Sequence, residues 1–350
     1  MPMNDNINFG TPSGCFVIAE AGVNHNGSKE TAKKLIDIAA NSGANAIKFQ
    51  TFKAETLVSR DAPQFPYVKG TDNHQKTQFE MLRDLELKYE WHQELINYCN
   101  IKNLTFLSTP FHESDVDFLS TLDIPAYKIA SGDVSNTSFL KHVASKNKPV
   151  IASTGMATIT ETKAMHQTLV DAGCQELAIL HCTSNYPTSL SDVNLRAMTT
   201  IKSLLNVPVG YSDHTLGFQA AICAVALGAS VIEKHFTLSK SMPGPDHKAS
   251  LEPKELSDYV AKIREAELLL GSSEKAPTET ESLTLKIVRK SLYAKTPIKA
   301  GERIKADMLT AKRPGDGIAP NKMNAVVGRV AKRDIKADEK LNFSDVIVDI

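Results

Sequence analysis

Titratable side chains stand at the ends of two apolar, β-branched runs of the sequence. In VIEKHFTL, residues 231–238, Glu233, Lys234 and His235 follow an apolar start, and VPVGYSDHTLG places His214 at the end of the preceding run. Central strands of a parallel sheet are close to continuously apolar. Polar residues at the end of such a run therefore indicate a strand that has reached a surface where chemistry is done.

His214 and His235 could bind the same divalent cation. They end consecutive strands, and adjacent strands of a barrel lie about 4.8 Å apart, so both imidazoles can reach one ion. Imidazole suits borderline metals, while carboxylates and water suit harder ions such as Mn²⁺ or Mg²⁺. Asp213 and Asp246 are candidates for water-bridging contacts to that ion, although Asp246 in MPGPDHKAS could equally be a turn residue.

Lysines at strand ends form a second group. Lys48, Lys128 and Lys234 follow apolar residues, where a surface lysine is unexpected. Cations and hydroxyls that converge on one face make an anion site, most naturally for a phosphate or a carboxylate. Each hydroxyl taken alone could instead cap the next helix. The accompanying hydroxyl residues are Ser108, Thr109, Ser131, Ser153, Thr154, Thr183, Ser184 and Ser212.

Glu20 ends the first apolar run, in IAEAGVNHNG. A carboxylate beside a metal and a cationic pocket could act as a general base toward water or a sugar hydroxyl. The alternative is a structural ion pair with one of the lysines, and one residue can do both.

Eight short apolar runs, most of them separated by segments of helical spacing, must position these residues. Strands alternating with helices form right-handed βαβ units, and eight of them in roughly 250 residues is the count for a closed (β/α)₈ TIM barrel. A doubly wound open sheet is the alternative, but polar residues end nearly every run, which favours the barrel. The runs are 16–22, 45–51, 104–110, 126–132, 149–155, 177–184, 208–214 and 231–237.

The character of the sequence changes beyond the predicted barrel domain, residues 1–271. The polar segment 272–285 is predicted to be a linker to a small module, residues 286–350. Two stretches of that module, IKAGERIKADMLT (298–310) and IKADEKLNFSDVI (335–347), share the frame Ile-Lys-Ala-x-Glu-x-[Ile/Leu]. This repeat predicts a compact, two-fold-like, β-rich fold.

Composition excludes several classes of partner. The 350 residues have a formal net charge of zero, so nothing recommends nucleic acid or an acidic membrane. No apolar stretch is long enough to span a bilayer, and no GxxxxGK[ST] loop indicates a nucleoside triphosphate. The stretch 1–14 lacks the features of a signal peptide, and the five cysteines form no CxxC pair. We therefore expect reduced thiols and a cytoplasmic protein.

Taken together, the motifs resemble those of the N-acetylneuraminate (sialic acid) synthase family. They are IAEAGVNHNG, AIKFQTF, STPF, KIASGD, STGMA, LHCTSNYP, GYSDHTLG, IEKHFTL, GPDHKAS and KRPGDGI, and they run from about Cys15 toward the C-terminus. The form IAEAGVNHNG resembles the sialate and legionaminate branches of that family rather than the pseudaminate branch.

This resemblance implies a (β/α)₈ barrel joined to a small antifreeze-like (SAF) domain, in a domain-swapped homodimer whose SAF domain covers the partner's barrel. It implies condensation of phosphoenolpyruvate with N-acetylmannosamine, or a closely related acetamido sugar, and water, giving an N-acetylneuraminate-type acid and phosphate. It also implies a divalent metal, typically Mn²⁺, with Mg²⁺ or Co²⁺ as alternatives.

By motif position, the resemblance assigns a role to each candidate residue. His214 and His235 would bind the metal, and Glu20 would act on the sugar or on the attacking water. Tyr186 and the partner's Arg313 would contact the sugar, Arg313 at its acyl group. The residues expected to hold phosphoenolpyruvate are Lys48, Thr109, Lys128, Ser131, Ser184 and Ser212.

Two positions leave the substituents of the sugar open. Asp133 stands where many sialate synthases carry a glutamate, so a substrate contact there would be shortened or lost, and Ser184 and Asn185 occupy a variable position. A 6-deoxy diacetamido sugar leading to N,N'-diacetyllegionaminate is therefore the alternative acceptor. Asp246 completes the substrate contacts that we expect.

Two other functions are compatible with the sequence. A retro-aldol lyase on the same barrel would use Lys128 or Lys48 as a Schiff base, and borohydride would trap its adduct with pyruvate. In a non-catalytic alternative, the small module would bind ice or a glycan and the barrel would carry it. The charged strand ends argue against that alternative.

Overall fold

A closed barrel of eight parallel strands forms the first of two compact units, Met1–Gly271. This computed structural model describes residues 14–63 and 77–347; the stretch 1–13, on which the signal-peptide argument depends, lies outside them. The strands follow one another around the barrel in sequence order, and the first pairs with the last to close it. The predicted (β/α)₈ barrel is confirmed.

The strands and helices of the barrel alternate along the chain, except that two short helices are inserted after the second strand. The strands are β1 (Phe16–Gly22), β2 (Ala46–Thr51), β3 (Thr105–Pro110), β4 (Tyr127–Ile129), β5 (Val150–Ser153), β6 (Leu177–Cys182), β7 (Val209–Asp213) and β8 (Val231–His235). The helices are α1 (Lys29–Asn41), α2 (Ala54–Leu57), α3 (Gln78–Asp84), α4 (His92–Ile101), α5 (Glu113–Thr121), α6 (Thr137–Ala144), α7 (Ile159–Asp171), α8 (Arg196–Leu205), α9 (Gln219–Ala226) and α10 (Pro253–Leu270). In the part of the chain described here, no helix is long and apolar enough to cross a membrane.

Helix α1 shows how the local sequence forms the outer layer of the barrel. The hydroxyl of Ser28 accepts a hydrogen bond from the backbone N–H of Thr31 at 3.2 Å, which satisfies one of the free N–H groups at the helix start. Leu35, Ile36 and Ala39 lie at helical spacing and are fully buried in the main hydrophobic core.

Side chains alternate between the two faces of each barrel strand. Near the beginnings of the strands, Ile18, Leu107, Ile151, Leu180 and Val231 belong to an apolar cluster separate from the outer core. Two positions later, each of these strands presents a side chain to the same face, because the period of a strand is two. Those residues are Glu20, Thr109, Ser153, Cys182 and Glu233, and all of them line the cavity described below. The apolar layer thus forms the floor of a polar ring.

The second unit, Ser272–Ile350, contains α11 (Glu279–Val288), β9 (Ser291–Ala294) and β10 (Leu309–Lys312). The predicted linker 272–285 therefore includes the beginning of a helix. This helix begins with a capping box, in which Thr278 and Glu281 exchange hydrogen bonds between side chain and backbone. The polar composition of this segment masked that start signal.

The two repeats of the second unit pair with each other as their shared frame predicts. Ile298 and Ile335, the first residues of the two frames, form an antiparallel bridge with N–H···O distances of 2.9 and 2.8 Å. Ile304 and Leu341, the last residues of the frames, are both fully buried in the core of this unit. Equivalent residues thus occupy equivalent places on either side of one small core.

Candidate active site

The C-terminal ends of the barrel strands surround one cavity of about 800 Å³. Its size is that of a small-molecule site. Every predicted site residue of the barrel except Asp133 lines it. These residues are Glu20, Lys48, Thr109, Lys128, Ser131, Ser184, Tyr186, Ser212, His214, His235 and Asp246.

Two lysines and two glutamates form the charged centre of the cavity. The Nζ atom of Lys48 lies 2.7 Å from Oε2 of Glu20 and 3.7 Å from Oε2 of Glu233, and Nζ of Lys128 lies 3.9 Å from Oε1 of Glu233. All four side chains are at most 6% exposed. Buried charges must be paired to be tolerated, and here two cations balance two anions. The predicted ion pair between Glu20 and a strand-end lysine is therefore present.

The two glutamates differ in how readily they take up a proton. Burial raises the pKa of Glu20 to about 7, because Lys48 opposes this shift only in part and Glu233 adds to it. Burial acts on Glu233 in the same direction, but Lys128 and Lys48 outweigh it and lower the pKa of that carboxyl. Carboxyls whose environments separate their pKa values can divide the roles of proton acceptor and fixed charge. Glu20 is suited to the first role and Glu233 to the second.

The lysines are surrounded by hydroxyl groups that could share an anion with them. Lys48 donates to Oγ1 of Thr109 at 3.0 Å, and Lys128 donates to Oγ of Ser153 at 2.6 Å. Ser212 donates to Glu233 at 3.1 Å. Ammonium and hydroxyl donors converging in a buried place are what a phosphate or a carboxylate requires.

A glycine allows these hydroxyls to approach one another. The backbone N–H of Gly155 donates to Oγ of Ser131 at 2.9 Å. A Cβ atom at Gly155 would lie 2.2 Å from Oγ of Ser184 and 2.9 Å from Oγ of Ser131, closer than real Cβ atoms approach. Only glycine therefore leaves these side chains where they are.

His214 and His235 lie side by side, with ring centroids 5.5 Å apart. Nδ1 of His214 donates to the carbonyl oxygen of Thr183 at 2.8 Å, so its Nε2 carries the free lone pair. Nδ1 of His235 is buried and has no hydrogen-bond partner within residues 14–63 and 77–347. Oδ2 of Asp246 lies 3.9 Å from that nitrogen.

These donors fit a divalent cation. A free imidazole nitrogen, a second one without a partner and a neighbouring carboxylate suit a borderline metal that also accepts oxygen ligands. Among the described residues, no three His, Cys, Asp or Glu side chains form a complete metal site. The remaining positions around such an ion would therefore fall to water or substrate oxygens, as in metal sites that perform catalysis.

Comparison with known proteins agrees with this geometry. The model of the NeuB family matches residues 35–275, and that of the SAF domain matches residues 289–347. The chain belongs to the NeuB family.

Named relatives of this NeuB-family chain cover nearly all of it. It is 44% identical over 354 residues to the N,N'-diacetyllegionaminic acid synthase of Legionella pneumophila, covering 99% of both chains. It is 46% identical over 326 residues to the enzyme of the same name from Campylobacter jejuni, covering 93% of this chain and 98% of the relative. A solved structure of N-acetylneuraminic acid (sialic acid) synthetase from Leptospira borgpetersenii, in complex with citrate, covers 79% of this chain and 92% of its own, with 33% identity and a TM-score of 0.71.

Lys234 and Asp213 do not belong to the cavity, so the expectation that they join the anion and metal sites is wrong. Oδ2 of Asp213 lies 3.3 Å from Nζ of Lys234 and accepts a hydrogen bond from the hydroxyl of Tyr259 at 2.9 Å. Nζ of Lys234 also lies 5.6 Å from the centre of the Tyr259 ring. Strand alternation explains the error, because the neighbours of the inward-facing His214 and His235 must face the helices.

Two other predicted residues lie outside the cavity lining. Asp133 lies in a short turn after β4, where its carboxylate accepts a hydrogen bond from Asn136 at 3.2 Å. The predicted contact between Asp133 and the sugar is thus not part of this cavity. Arg313 is an exposed residue of the second unit, and its role stays a prediction.

Sequence reasoning did not single out several residues that line the cavity. Glu233 was grouped with Lys234, although counting back two positions from His235 selects it. The same count forward from Lys48 selects Gln50, which also lines the cavity. Strand period was therefore the signal that could have identified both residues.

One side of the cavity, which we term the apolar wall, consists of aliphatic and aromatic side chains. Phe111 packs against Phe52 with their rings perpendicular and 5.9 Å between centroids. The inserted helices α2 and α3 contribute part of this wall, which belongs to a small core of its own. Its residues are Val23, Leu57, Val58, Met81, Leu82 and Phe111. A ligand that contacts this side gains by presenting apolar groups to it.

Proposed function

We propose that this protein condenses phosphoenolpyruvate with an N-acylated amino sugar and water, releasing phosphate and a nonulosonic acid. The observation that carries the proposal is one cavity in which buried lysines and hydroxyls face two imidazoles and a carboxyl whose pKa lies near neutrality. The names of the two legionaminic acid synthases among its relatives support it.

Lys48 and Lys128 would hold phosphoenolpyruvate, whose phosphate and carboxylate are both anions. Charge-assisted hydrogen bonds from two ammonium groups, together with Thr109, Ser131 and the other hydroxyls, fix a rigid anion in one orientation. Fixing it brings the nucleophilic C3 of the enol toward the sugar aldehyde, so that a reaction between two molecules becomes one within a complex.

His214 and His235 would hold a divalent cation, for which we propose Mn²⁺ first and Mg²⁺ or Co²⁺ as alternatives. When bound, such an ion supplies Lewis-acid polarisation of the open-chain aldehyde. The hydrogen bond from His214 to the carbonyl of Thr183 fixes the ring orientation and leaves Nε2 available for this purpose.

Glu20 would accept the proton of the attacking water. Bond formation between C3 of the enol and the aldehyde carbon leaves an oxocarbenium-like centre at C2, to which water adds as its proton passes to the carboxylate. The tetrahedral adduct then loses phosphate by cleavage of its C–O bond. Lys48, 2.7 Å from Glu20, orients the carboxylate, and the buried surroundings limit access of other water.

We infer that the acceptor is 2,4-diacetamido-2,4,6-trideoxymannose rather than N-acetylmannosamine. Its C6 methyl and second acetyl group add apolar surface that the apolar wall can cover, whereas a hydroxyl at C6 would lose hydrogen bonds to water there. The two legionaminic acid synthases are 44% and 46% identical to this chain, and the sialic acid synthetase is 33% identical. Both observations support the diacetamido sugar.

We also propose that the protein acts as a cytoplasmic homodimer in which the partner's Arg313 contacts the acyl group of the sugar. Each chain exposes apolar side chains that a partner could cover: Leu268 and Leu269 are 82% and 85% exposed, and Leu283 of α11 is 76% exposed. Exposed apolar side chains in such number mark interaction surfaces. The free cysteines fit a reducing compartment.

The deciding experiment supplies the full chain with Mn²⁺, phosphoenolpyruvate and one sugar at a time, and measures phosphate release and product mass. We expect turnover with the diacetamido sugar, slower turnover with N-acetylmannosamine, and none without sugar. Absence of phosphate release with both sugars would contradict the condensation. A borohydride-trapped pyruvate adduct on Lys128 or Lys48 would support the lyase instead.

Val58→Thr tests the apolar wall, because threonine keeps the shape of valine and adds one hydroxyl. Val58 is half-buried, so the fold should tolerate this change. We expect kcat/KM for the diacetamido sugar to fall about tenfold, since an unpaired hydroxyl costs about 1–3 kcal/mol, while kcat/KM for N-acetylmannosamine changes less. An equal change for the two sugars would show that the wall does not select the acceptor.

A further inference from the structure

The turn after β1 is tied by a buried side chain to the segment that follows β8. Asn24 is fully buried, and its Nδ2 donates to the carbonyl oxygen of Phe236 at 2.7 Å and to Oγ of Ser250 at 3.0 Å. Ser250 donates in turn to the carbonyl oxygen of Asp246 at 2.7 Å. One amide group therefore connects the residue after His235 with the loop that carries Asp246.

Backbone hydrogen bonds meet at the same place. The N–H of Phe236 donates to the carbonyl oxygen of Glu20 at 3.0 Å, and the N–H of Leu251 donates to that of His235 at 2.9 Å. The candidate base, one candidate metal ligand and the carboxylate beside it thus lie on three segments that converge on Asn24.

The amide of Asn24 can adopt only one orientation here. Both of its N–H groups have acceptors, while its Oδ1 accepts no hydrogen bond from any described residue. Rotating the amide by half a turn would place Oδ1 against the carbonyl oxygen of Phe236, where two acceptors repel each other. The two donated bonds therefore outweigh an unpaired buried oxygen, which is itself unfavourable.

His235 and Asp246 have no direct bond that would fix their separation. Nδ1 of His235 and Oδ2 of Asp246 lie 3.9 Å apart, beyond hydrogen-bond distance. Their relative position must then come from the segments that carry them, and Asn24 joins those segments.

We propose that Asn24 is a positioning residue that holds His235 and Asp246 at the separation a shared divalent cation requires. This inference rests on the metal site of the proposed function. Ser250 relays the effect of Asn24 to the Asp246 loop, because its hydroxyl accepts from one and donates to the other.

The loop has a second attachment, so removing the amide of Asn24 should not release it. Asn26 donates to the carbonyl oxygen of Pro243 at 2.9 Å, and His247 bonds to Oδ1 of Asn26 at 3.0 Å and to Oγ1 of Thr237 at 2.6 Å. We therefore expect the variant Asn24→Ala to fold, with its loop shifted rather than detached.

Asn45→Ala provides a matched control. Oδ1 of Asn45 accepts from the N–H of Val17 at 2.8 Å and from Arg264 at 2.7 Å, near the beginnings of β1 and β2. Both variants remove two hydrogen bonds of an asparagine from the same barrel. Only Asn24→Ala should alter the end of the barrel that carries the candidate metal ligands.

The test measures Mn²⁺ affinity of the full-length protein by electron paramagnetic resonance of the free ion. We expect Asn24→Ala to weaken Mn²⁺ binding about tenfold or more, the range seen when supports of metal ligands are removed. Asn45→Ala should bind Mn²⁺ as the wild type does, although urea unfolds both variants earlier. Unchanged affinity in Asn24→Ala, or equal weakening in both, would overturn the proposal.

A double-variant cycle tests the relay through Ser250. Because both side chains act along one path, Asn24→Ala combined with Ser250→Ala should weaken Mn²⁺ binding by less than the product of the single effects. Independent effects would overturn the relay. Failure of the wild type to bind Mn²⁺ would overturn the inference together with the metal site, whereas expected Mn²⁺ affinities without phosphate release would contradict only the proposed condensation.

Discussion

Glu20 is a carboxylate whose surroundings suit proton transfer. We expect Glu20→Gln to lower kcat about 10²-fold or more, the usual contribution of a general base, because an amide cannot accept the proton of the attacking water. Rapid-quench measurement of phosphate release checks this rate. Affinity for phosphoenolpyruvate, measured by calorimetry, should change much less, because both lysines remain. An unchanged kcat would assign Glu20 to the ion pair with Lys48 alone.

His92 makes stability depend on pH outside the cavity. Its Nε2 bonds to Oγ1 of Thr51 at 2.8 Å and its Nδ1 donates to the carbonyl oxygen of Lys88 at 3.1 Å. Burial lowers the pKa of His92 from 6.5 to about 4, so between these values the unfolded chain binds more protons than the folded one. Stability from this group is therefore complete above pH 6.5 and is lost as the pH falls toward 4.

The size of this effect is measurable by urea unfolding at pH 7.5 and 5.0. A pKa difference of this order corresponds to roughly 3 kcal/mol at most, and His25, whose pKa burial also lowers to about 4, adds to it. We expect His92→Gln to be less stable at pH 7.5 but to lose less stability on acidification. A pH dependence as steep as in the surface variant His142→Gln would contradict this assignment.

Two barrel glycines allow close packing at different elements, and their alanine variants should fail differently. In β7, a Cβ atom at Gly210 would lie 2.3 Å from the carbonyl oxygen of Val231 and 2.5 Å from Cδ2 of Leu180. Backbone on one side cannot yield, so we expect Gly210→Ala to destabilise the barrel by about 1–3 kcal/mol. Urea unfolding measures this loss.

Gly155, by contrast, is surrounded by the ends of side chains that can rotate away. We expect Gly155→Ala to unfold close to the wild-type midpoint but to raise KM for phosphoenolpyruvate about tenfold, since Ser131 and Ser184 must move from the anion site. Reversed outcomes for the two glycines would contradict the placement of the anion site.

At the level of elements, the sequence predicted the strands better than the direction of individual side chains. All eight predicted runs contain a barrel strand, although β4 ends at Ile129 and the chain turns through residues 131–133. Lys234 was misassigned because a buried lysine next to His235 looks the same in the sequence whether it faces the axis or the helices. Only the observed pairing with Asp213, on the outer face, separates the two cases.

The proposed homodimer can be tested with the whole molecule by mixing two inactive variants. If the partner's Arg313 completes each site, a mixed dimer of Glu20→Gln and Arg313→Ala chains contains one intact site. Random exchange of equal amounts should then restore about a quarter of wild-type activity per chain. Light scattering confirms that dimers form. Mixtures that stay inactive despite exchange would show that Arg313 does not act across the dimer.

The sequence by itself determined the barrel and the small repeat unit, because hydrophobic period and repeated frames are local properties of the chain. It also determined which strand ends carry chemistry, since polar residues interrupt apolar runs there. Only the tertiary structure decided that Glu233 joins Glu20 in balancing two lysines, that Asp133 is absent from the cavity lining, and that Asn24 joins segments more than 200 residues apart in the chain. Those facts depend on closure of the barrel between β1 and β8, which brings together residues that no local pattern relates.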